Sequence, residues 1–286
     1  MVDAYKENSI TLTGAVAMGT GVMIGAGIFA LTGQIAELAG PLFPLSFVVG
    51  AIVTAFSAYS YIKMSNAYPS AGGIAMILEK AYGPTTVAAG ASLLMALSMV
   101  INESLVARTF GTYTLRAFGG DADSVLVPVL GVGLIVFAYL VNASGTRSVG
   151  LVSIVMAVLK VGGIALFGVS ALWASGLSFE ASGGEAGATG FVASVALSIL
   201  AFKGFTTITN SGAEVTDPHR NVGRAIILSI AICVVVYLLV AFAVGSSLPL
   251  DRIVAAKDYA LAEAAQPALG QTGFYLTVAL ALVATA

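Results

Sequence analysis

Long apolar stretches separated by short polar ones dominate this chain. They run from 12 to 36, 42 to 62, 85 to 118, 125 to 142, 149 to 174, 190 to 213, 222 to 247 and 272 to 286. A helix that crosses a bilayer needs about 20 mainly apolar residues, so the first seven stretches predict complete spans, numbered here 1 to 7 in chain order. The eighth, about 15 residues by this pattern, reads as the start of a span that stops at Ala286, and on that reading the chain is truncated. The pattern therefore predicts an all-α polytopic membrane protein embedded in a lipid bilayer. Residues 1–10 are polar and acidic, and the first apolar run is too long for the core of a cleavable signal peptide, so that run itself is expected to direct insertion.

Composition narrows the function classes. Of 286 residues, 58% are apolar and 9% charged, against roughly 45–50% and 25% in a soluble domain. The formal net charge is −2 with no basic run, which excludes a nucleic-acid surface. One cysteine, Cys233, cannot close an internal disulfide, and one histidine, His219, cannot build a metal site alone, so no metal and no cofactor is expected. The spans carry no nucleophile–base pair and no paired carboxylates, which argues against an enzyme.

Lysine and arginine placement sets an expected orientation. With the N-terminus in the cytoplasm, Lys6, Lys63, Lys80, Arg147, Arg220 and Arg224 lie inside and Arg116, Arg252 and Lys257 outside, six against three. The outer loops would then gather Asp121, Asp123, Glu180, Glu185, Asp251, Asp258 and Glu263. The expected location is a plasma (inner) membrane, although lysine and arginine placement bears on orientation and not on which membrane holds the chain. Glu103, Arg108, Lys160 and Lys203 fall inside spans, and Glu214 lies near a boundary. A charge near the bilayer centre costs at least ~2.5 kcal/mol, so each needs a partner, a cavity or the interface.

Span 1 contains Gly19, Gly21, Gly25 and Gly27, four glycines in nine residues, each weakening a helix by about 1 kcal/mol relative to alanine. A break is expected there, exposing N–H groups at Gly25, Ala26 and Gly27 that suit a carboxylate and carbonyls near Met23 and Ile24 that suit an ammonium. The same glycines would equally serve close helix packing. In span 6, Ala201-Phe202-Lys203-Gly204-Phe205 sets a charge and a glycine halfway across, predicting a second break. Paired interruptions in two halves point to a transporter binding site.

Four segments in order resemble the amino acid–polyamine–organocation transporters. They are Gly25-Ala26-Gly27-Ile28-Phe29; Tyr68-Pro69-Ser70-Ala71-Gly72-Gly73 followed by Glu79-Lys80-Ala81-Tyr82-Gly83-Pro84; Lys160 among apolar and glycine neighbours; and Ala213-Glu214-Val215-Thr216-Asp217-Pro218-His219-Arg220-Asn221-Val222-Gly223-Arg224-Ala225-Ile226. The resemblance runs through essentially the whole chain. It implies an inverted five-helix repeat fold with discontinuous helices 1 and 6, residues 1–175 forming the first repeat and 176–286 an incomplete second one. It implies carboxylate contacts at Gly25, Ala26 and Gly27, and amine contacts at the carbonyls of Ile24, Ala201 and Lys203. Asn102 and Glu103 on span 3 join this lining.

The same resemblance puts a gating aromatic four residues before the span 6 glycine, where this chain has Leu200; either Phe202 or Phe205 takes over or the pocket is less closed to water, and core packing explains either ring as well. It also implies that Lys160 replaces a coupling cation between helices 1, 5 and 8, and hence proton coupling, with a permanently charged strut as the other reading. No family role transfers to the Lys203 side chain. It pairs with Glu103, meets an acidic substrate group, or reaches a wet vestibule. Arg108 lies five residues beyond Glu103, about 140° around the helix, and reads as structural. Glu214 and Asp217-Pro218-His219-Arg220 read as a helix-ending turn, and Trp173 as an interface anchor. The function so implied is secondary active import or exchange of a small-molecule substrate, an amino acid or amine, by alternating access. A non-transporting membrane sensor and a polyamine permease are the alternatives.

Overall fold

Each apolar stretch forms a helix in the computed structural model, which describes residues 8–121, 124–143, 147–176, 178–181, 187–256 and 258–285. Span 1 comprises Leu12–Met23 followed by Ala26–Phe29 and Leu31–Ala39. Span 2 is Phe43–Ala67, span 3 Thr86–Ala117, span 4 Leu126–Ala143 and span 5 Arg147–Ala174. Span 6 runs Ala188–Phe202, Lys203–Phe205 and Thr206–Asn210; span 7 is Pro218–Ser247 and span 8 Ala260–Thr285. Among the described residues seven helices are long and apolar enough to cross a membrane, and span 4 adds a shorter apolar stretch, Leu126–Leu140. Of the charges used for orientation, Lys6, Asp123, Glu185 and Lys257 lie outside the described residues, as does the Arg147 side chain.

Span 8 corrects the sequence reading. It is a 26-residue helix beginning at Ala260, long enough to cross, rather than a short segment beginning at 272. Its first turns are rich in alanine, which promotes helix strongly while adding little hydropathy. Pro267 and Gly270 (φ 61°) then kink it and mask its continuity in the sequence pattern.

Local chemistry explains the element ends. Thr11 caps span 1, its hydroxyl accepting from the Gly14 amide at 3.1 Å, and Thr85 caps span 3 by accepting from Ala88 at 3.3 Å. The turn at 68–72 leads into a short helix, Gly73–Tyr82, as its sequence suggests. Asp217 adopts a left-handed conformation and Pro218 opens span 7, where its missing N–H is no loss.

Span 7 is the buried centre, packed against spans 1, 2, 5 and 8, with Tyr237, Val240, Ala241 and Val244 fully buried. Small residues bring neighbouring backbones together. A Cβ on Gly111 would meet the Val127 carbonyl at 2.3 Å, tying span 3 to span 4. Spans 2 and 6 share a hydroxyl seam, Ser46 Oγ to Ser194 Oγ at 2.7 Å and Ser198 Oγ to the Ser46 carbonyl at 2.8 Å. The outward faces of spans 3, 4 and 5 carry exposed Leu94, Val132 and Leu166, as lipid-facing helices do.

Candidate functional site

In span 1 the helix ends where Ile24 leaves helical geometry (φ −83°, ψ 71°) after its amide has bonded to the Thr20 carbonyl at 2.7 Å. The next turn closes when the Ile28 and Phe29 amides both return to the Gly25 carbonyl at 3.3 Å. The amides of Gly25, Ala26 and Gly27 precede that turn and have no helical partner, the condition under which backbone N–H groups bind an anion. The expected break is present, at Ile24 and Gly25.

Span 6 behaves differently from expectation. From Phe202 to Thr206 the backbone stays right-handed helical and tightens into the 3-10 turn Lys203–Phe205 instead of opening. A single glycine there, against four in span 1, leaves most of the ladder intact. The Lys203 carbonyl consequently has internal partners, the Thr206 amide and the Thr206 hydroxyl at 3.0 Å, and is not free for an ammonium.

The two interruptions touch. A Cβ on Gly27 would lie 3.0 Å from the Ala201 carbonyl, and one on Gly204 would lie 2.7 Å from the Met23 amide nitrogen, so each glycine admits the opposite helix. Span 8 closes a third side, with the Ala284 carbonyl 3.1 Å from the Cβ position of Gly25. Span 7 adds a residue that sequence reasoning missed. The hydroxyl of Tyr237, fully buried, donates to the Met23 carbonyl and lies 3.0 Å from the Ala201 carbonyl, so one phenol bridges both interruptions. A lone tyrosine within an apolar run gave no signal that distinguished it from core packing.

The remaining predicted residues divide into those that reach this centre and those that do not. Phe202 is fully buried against Tyr237, with centroids 4.9 Å apart, whereas Phe205 packs edge-on against Tyr61 of span 2 at 5.3 Å. Both rings pack in the core, and Leu200 is half-buried beside it. Lys160 of span 5 reaches span 1, its Nζ 3.4 Å from the Gly21 carbonyl, while nearby Gly163 admits Leu280 of span 8. Lys203 donates to Ser98 Oγ of span 3, not to Glu103, which is exposed and forms no ion pair among the described residues. Glu103 follows Ser98 by five residues, about 140° around the helix, which turns it away from the amine. Asn102 is half-buried one turn beyond Ser98.

Both ends of the bundle are tied across this centre. At the end distant from residue 10, Arg108 of span 3 pairs with Asp258 at 3.6 Å, and Gln34 of span 1 donates to the same carboxylate at 3.3 Å. Arg116 donates to the Tyr259 hydroxyl at 2.7 Å and lies 4.0 Å from the centroid of its ring. Burial raises the Tyr259 phenol above its ordinary pKa, the Arg116 charge opposes that, and nearby carboxylates add to the rise, so the hydroxyl stays neutral. At the other end the ties are made by backbone: the Ile10 amide donates to the Glu214 carbonyl and the Thr216 amide to the Ile10 carbonyl, both at 2.9 Å. The Asn66 carboxamide accepts from the Gly223 amide at 2.9 Å. Two cavities of about 410 and 450 Å³ share Leu172 and lie on the flank of spans 5 and 7, away from the interruptions.

A chain of membrane-crossing helices with a glycine-broken first span, apposed to an interrupted sixth, defines a permease-like class, and sequence comparison agrees. The amino acid permease family model matches residues 10–286, and the chain belongs to that family, whose members are permeases and not enzymes. An uncharacterised protein of Methanocaldococcus jannaschii is 32% identical over 272 residues, covering 95% of this chain and 62% of its own length. The inner membrane transport protein YbaT of Escherichia coli is 30% identical over 276 residues, covering 96% and 64% respectively. The branched-chain amino acid permease BcaP of Lactococcus lactis is 26% identical over 259 residues, covering 82% and 55%. The chain thus spans less than two thirds of the length of these relatives.

Proposed function

We propose that this chain forms the substrate-holding part of a secondary transporter that moves an amino acid, or a related amine, by alternating access. The observation that carries the reading is the Tyr237 hydroxyl on the Met23 and Ala201 carbonyls. A carbonyl pair from two interrupted helices that converges on one O–H donor offers the same acceptors to an α-ammonium group once that donor withdraws. The open amides of Gly25, Ala26 and Gly27 supply the complementary place for the α-carboxylate. Substrate entry then requires spans 1 and 6 to part and Tyr237 to yield its acceptors, so binding and rearrangement are coupled. Among the amine contacts first expected, the one at Ala201 is kept, the one at Ile24 moves one residue back to Met23, and the one at Lys203 is dropped.

Proton coupling is assigned to Lys160. Its protonated amine holds the Gly21 carbonyl of span 1, so loss of the proton weakens the contact between spans 1 and 5 and biases the equilibrium between access states. Residues 1–175 form a first five-helix repeat and 176–286 the beginning of an inverted second one. The paired interruptions, one in span 1 of the first half and one in span 6 of the second, support this assignment. The N-terminal end faces the cytoplasm of an inner-membrane protein, by the six-to-three distribution of basic residues.

The test is uptake of a radiolabelled amino-acid panel by the full-length protein in proteoliposomes, with and without an inward proton gradient. Saturable, gradient-stimulated uptake of one class is the expected result. Uptake insensitive to the gradient removes the proton role of Lys160 and leaves it a strut. Binding without flux favours a sensor, a reading with which the tight contact of Gly27 on Ala201 and Gly204 on Met23 is also compatible.

A further inference from the structure

Among the described residues Lys203 is a charged side chain with a single, neutral partner. It opens the 3-10 turn of span 6, and its ammonium donates to Ser98 Oγ of span 3. An ammonium carries three N–H donors, so the serine satisfies one. Two ion pairs, Arg108–Asp258 and Arg252–Glu263, both lie at the end distant from residue 10, and neither involves Lys203. Glu103 is the one acid in the middle of any span, and it is exposed and turned away from Ser98. Asn102, four residues beyond Ser98, shares the serine's face of the helix.

The position of this amine in the fold gives it a use. Lys203 immediately precedes Gly204, which packs on the Met23 backbone, and follows Ala201 by two residues, whose carbonyl faces Tyr237. It therefore lies level with both interruptions, with Ser98 across from it. A cation at that depth is expensive without a counter-charge, and the described protein supplies none.

The geometry points to Lys203 as the residue that selects substrate charge: its ammonium, steered by Ser98, takes the second carboxylate of a dicarboxylic amino acid and repels cationic side chains. This inference rests on the transporter reading above. The substrate's α-carboxylate meets the amides of 25–27, its ammonium meets the carbonyls, and its side-chain carboxylate completes the donors left over on Lys203. An ammonium–carboxylate contact is charge-assisted and about twice as strong as a neutral hydrogen bond, which leads us to expect about a tenfold preference over a neutral substrate.

The experiment measures competition against labelled amino-acid uptake by the full-length protein in proteoliposomes, using aspartate, glutamate, alanine, leucine, lysine and arginine. The dicarboxylic pair should inhibit at concentrations about tenfold below the neutral pair, and the cationic pair should inhibit least. In Lys203→Met the ratio of acidic to neutral inhibition constants should lose that tenfold advantage, and in Lys203→Glu the order should turn toward the cationic pair. Ser98→Ala, which frees the amine without removing its charge, should lower the ratio by a smaller factor, and it serves if the lysine variants fail to fold. Equal inhibition by acidic and neutral amino acids in the wild type overturns the proposal, as does an acidic preference that survives Lys203→Met. If no amino acid is taken up or competes at all, the transporter reading itself fails, an outcome distinct from uptake without charge preference.

Discussion

Spans 1 and 6 are both interrupted at mid-bundle, yet they offer different chemistry. Span 1 opens at Ile24 and Gly25 and presents three amides without helical partners. Span 6 only tightens, keeping right-handed geometry through Lys203 and Phe205, so its own ladder retains most of its carbonyls. Each interruption is served by one lysine. Lys160 approaches the backbone of span 1 from span 5, whereas Lys203 leaves span 6 for a side-chain hydroxyl on span 3. The contrast separates two tasks. The opened backbone suits the invariant ends of an amino acid, and the tightened turn, with its outward-reaching amine, suits what differs between amino acids.

The sharpest way to break this comparison is at the contact between the two interruptions. Gly27→Val places atoms where the Ala201 carbonyl and Tyr237 hydroxyl stand, both 3.0 Å from the new Cβ. Overpacking of this kind costs about 1–3 kcal/mol, and uptake should fall at least about tenfold. Gly162→Ala, with no neighbour within 4 Å, should leave uptake within about twofold of wild type. Equal losses in the two variants would mean that glycine content, not the close approach, matters.

Next in size is the lysine of span 5 that reaches the backbone of span 1. With Lys160→Met, uptake measured with and without an inward proton gradient should agree within about twofold, because the amine proposed to carry the coupling proton is gone. A gradient response that survives in both Lys160→Met and Lys160→Ala would assign coupling elsewhere.

Tyr237→Phe gives a smaller effect with an informative sign. Removing the hydroxyl leaves two buried carbonyls without their donor and should lower stability by about 1–3 kcal/mol, read from thermal unfolding. Substrate affinity should rise, since the substrate ammonium no longer competes with the phenol; equilibrium binding that weakens instead would make Tyr237 a ligand rather than a competitor. The smallest effect is expected far from the interruptions. The Arg108–Asp258 pair has one partner 61% exposed, so Arg108→Ala should shift stability by only about 0–1 kcal/mol, and less at high salt.

Much of this arrangement was legible before the fold was known. The glycine cluster of span 1 marked its break because glycine disfavours helix wherever it stands. The helix-ending turn at Asp217-Pro218 was legible for the same reason, since proline acts on its immediate neighbours. Arg108 pointed away from Glu103 by helical arithmetic alone. Three features were not legible. Ala260 to Ala268 reads as weakly apolar, so the first half of span 8 was lost. Lys203 looked equally able to reach Glu103, because the rotation of span 3 against span 6 is not written in either segment. Tyr237 bridges partners 214 and 36 residues away, and nothing local distinguishes it from a core tyrosine.

The sequence by itself determined that this is a membrane-embedded bundle and where seven of its helices lie, and it pointed to a break in span 1, because apolar length, glycine and proline act through the residue and its nearest neighbours. Only the tertiary structure decided that span 6 tightens rather than opens, that Ser98 and not Glu103 receives Lys203, and that a phenol on span 7 occupies the carbonyls between spans 1 and 6. Those outcomes depend on how far each helix is rotated and how closely it packs. Such rotations are set by all of the helix's contacts at once, and no local pattern encodes them.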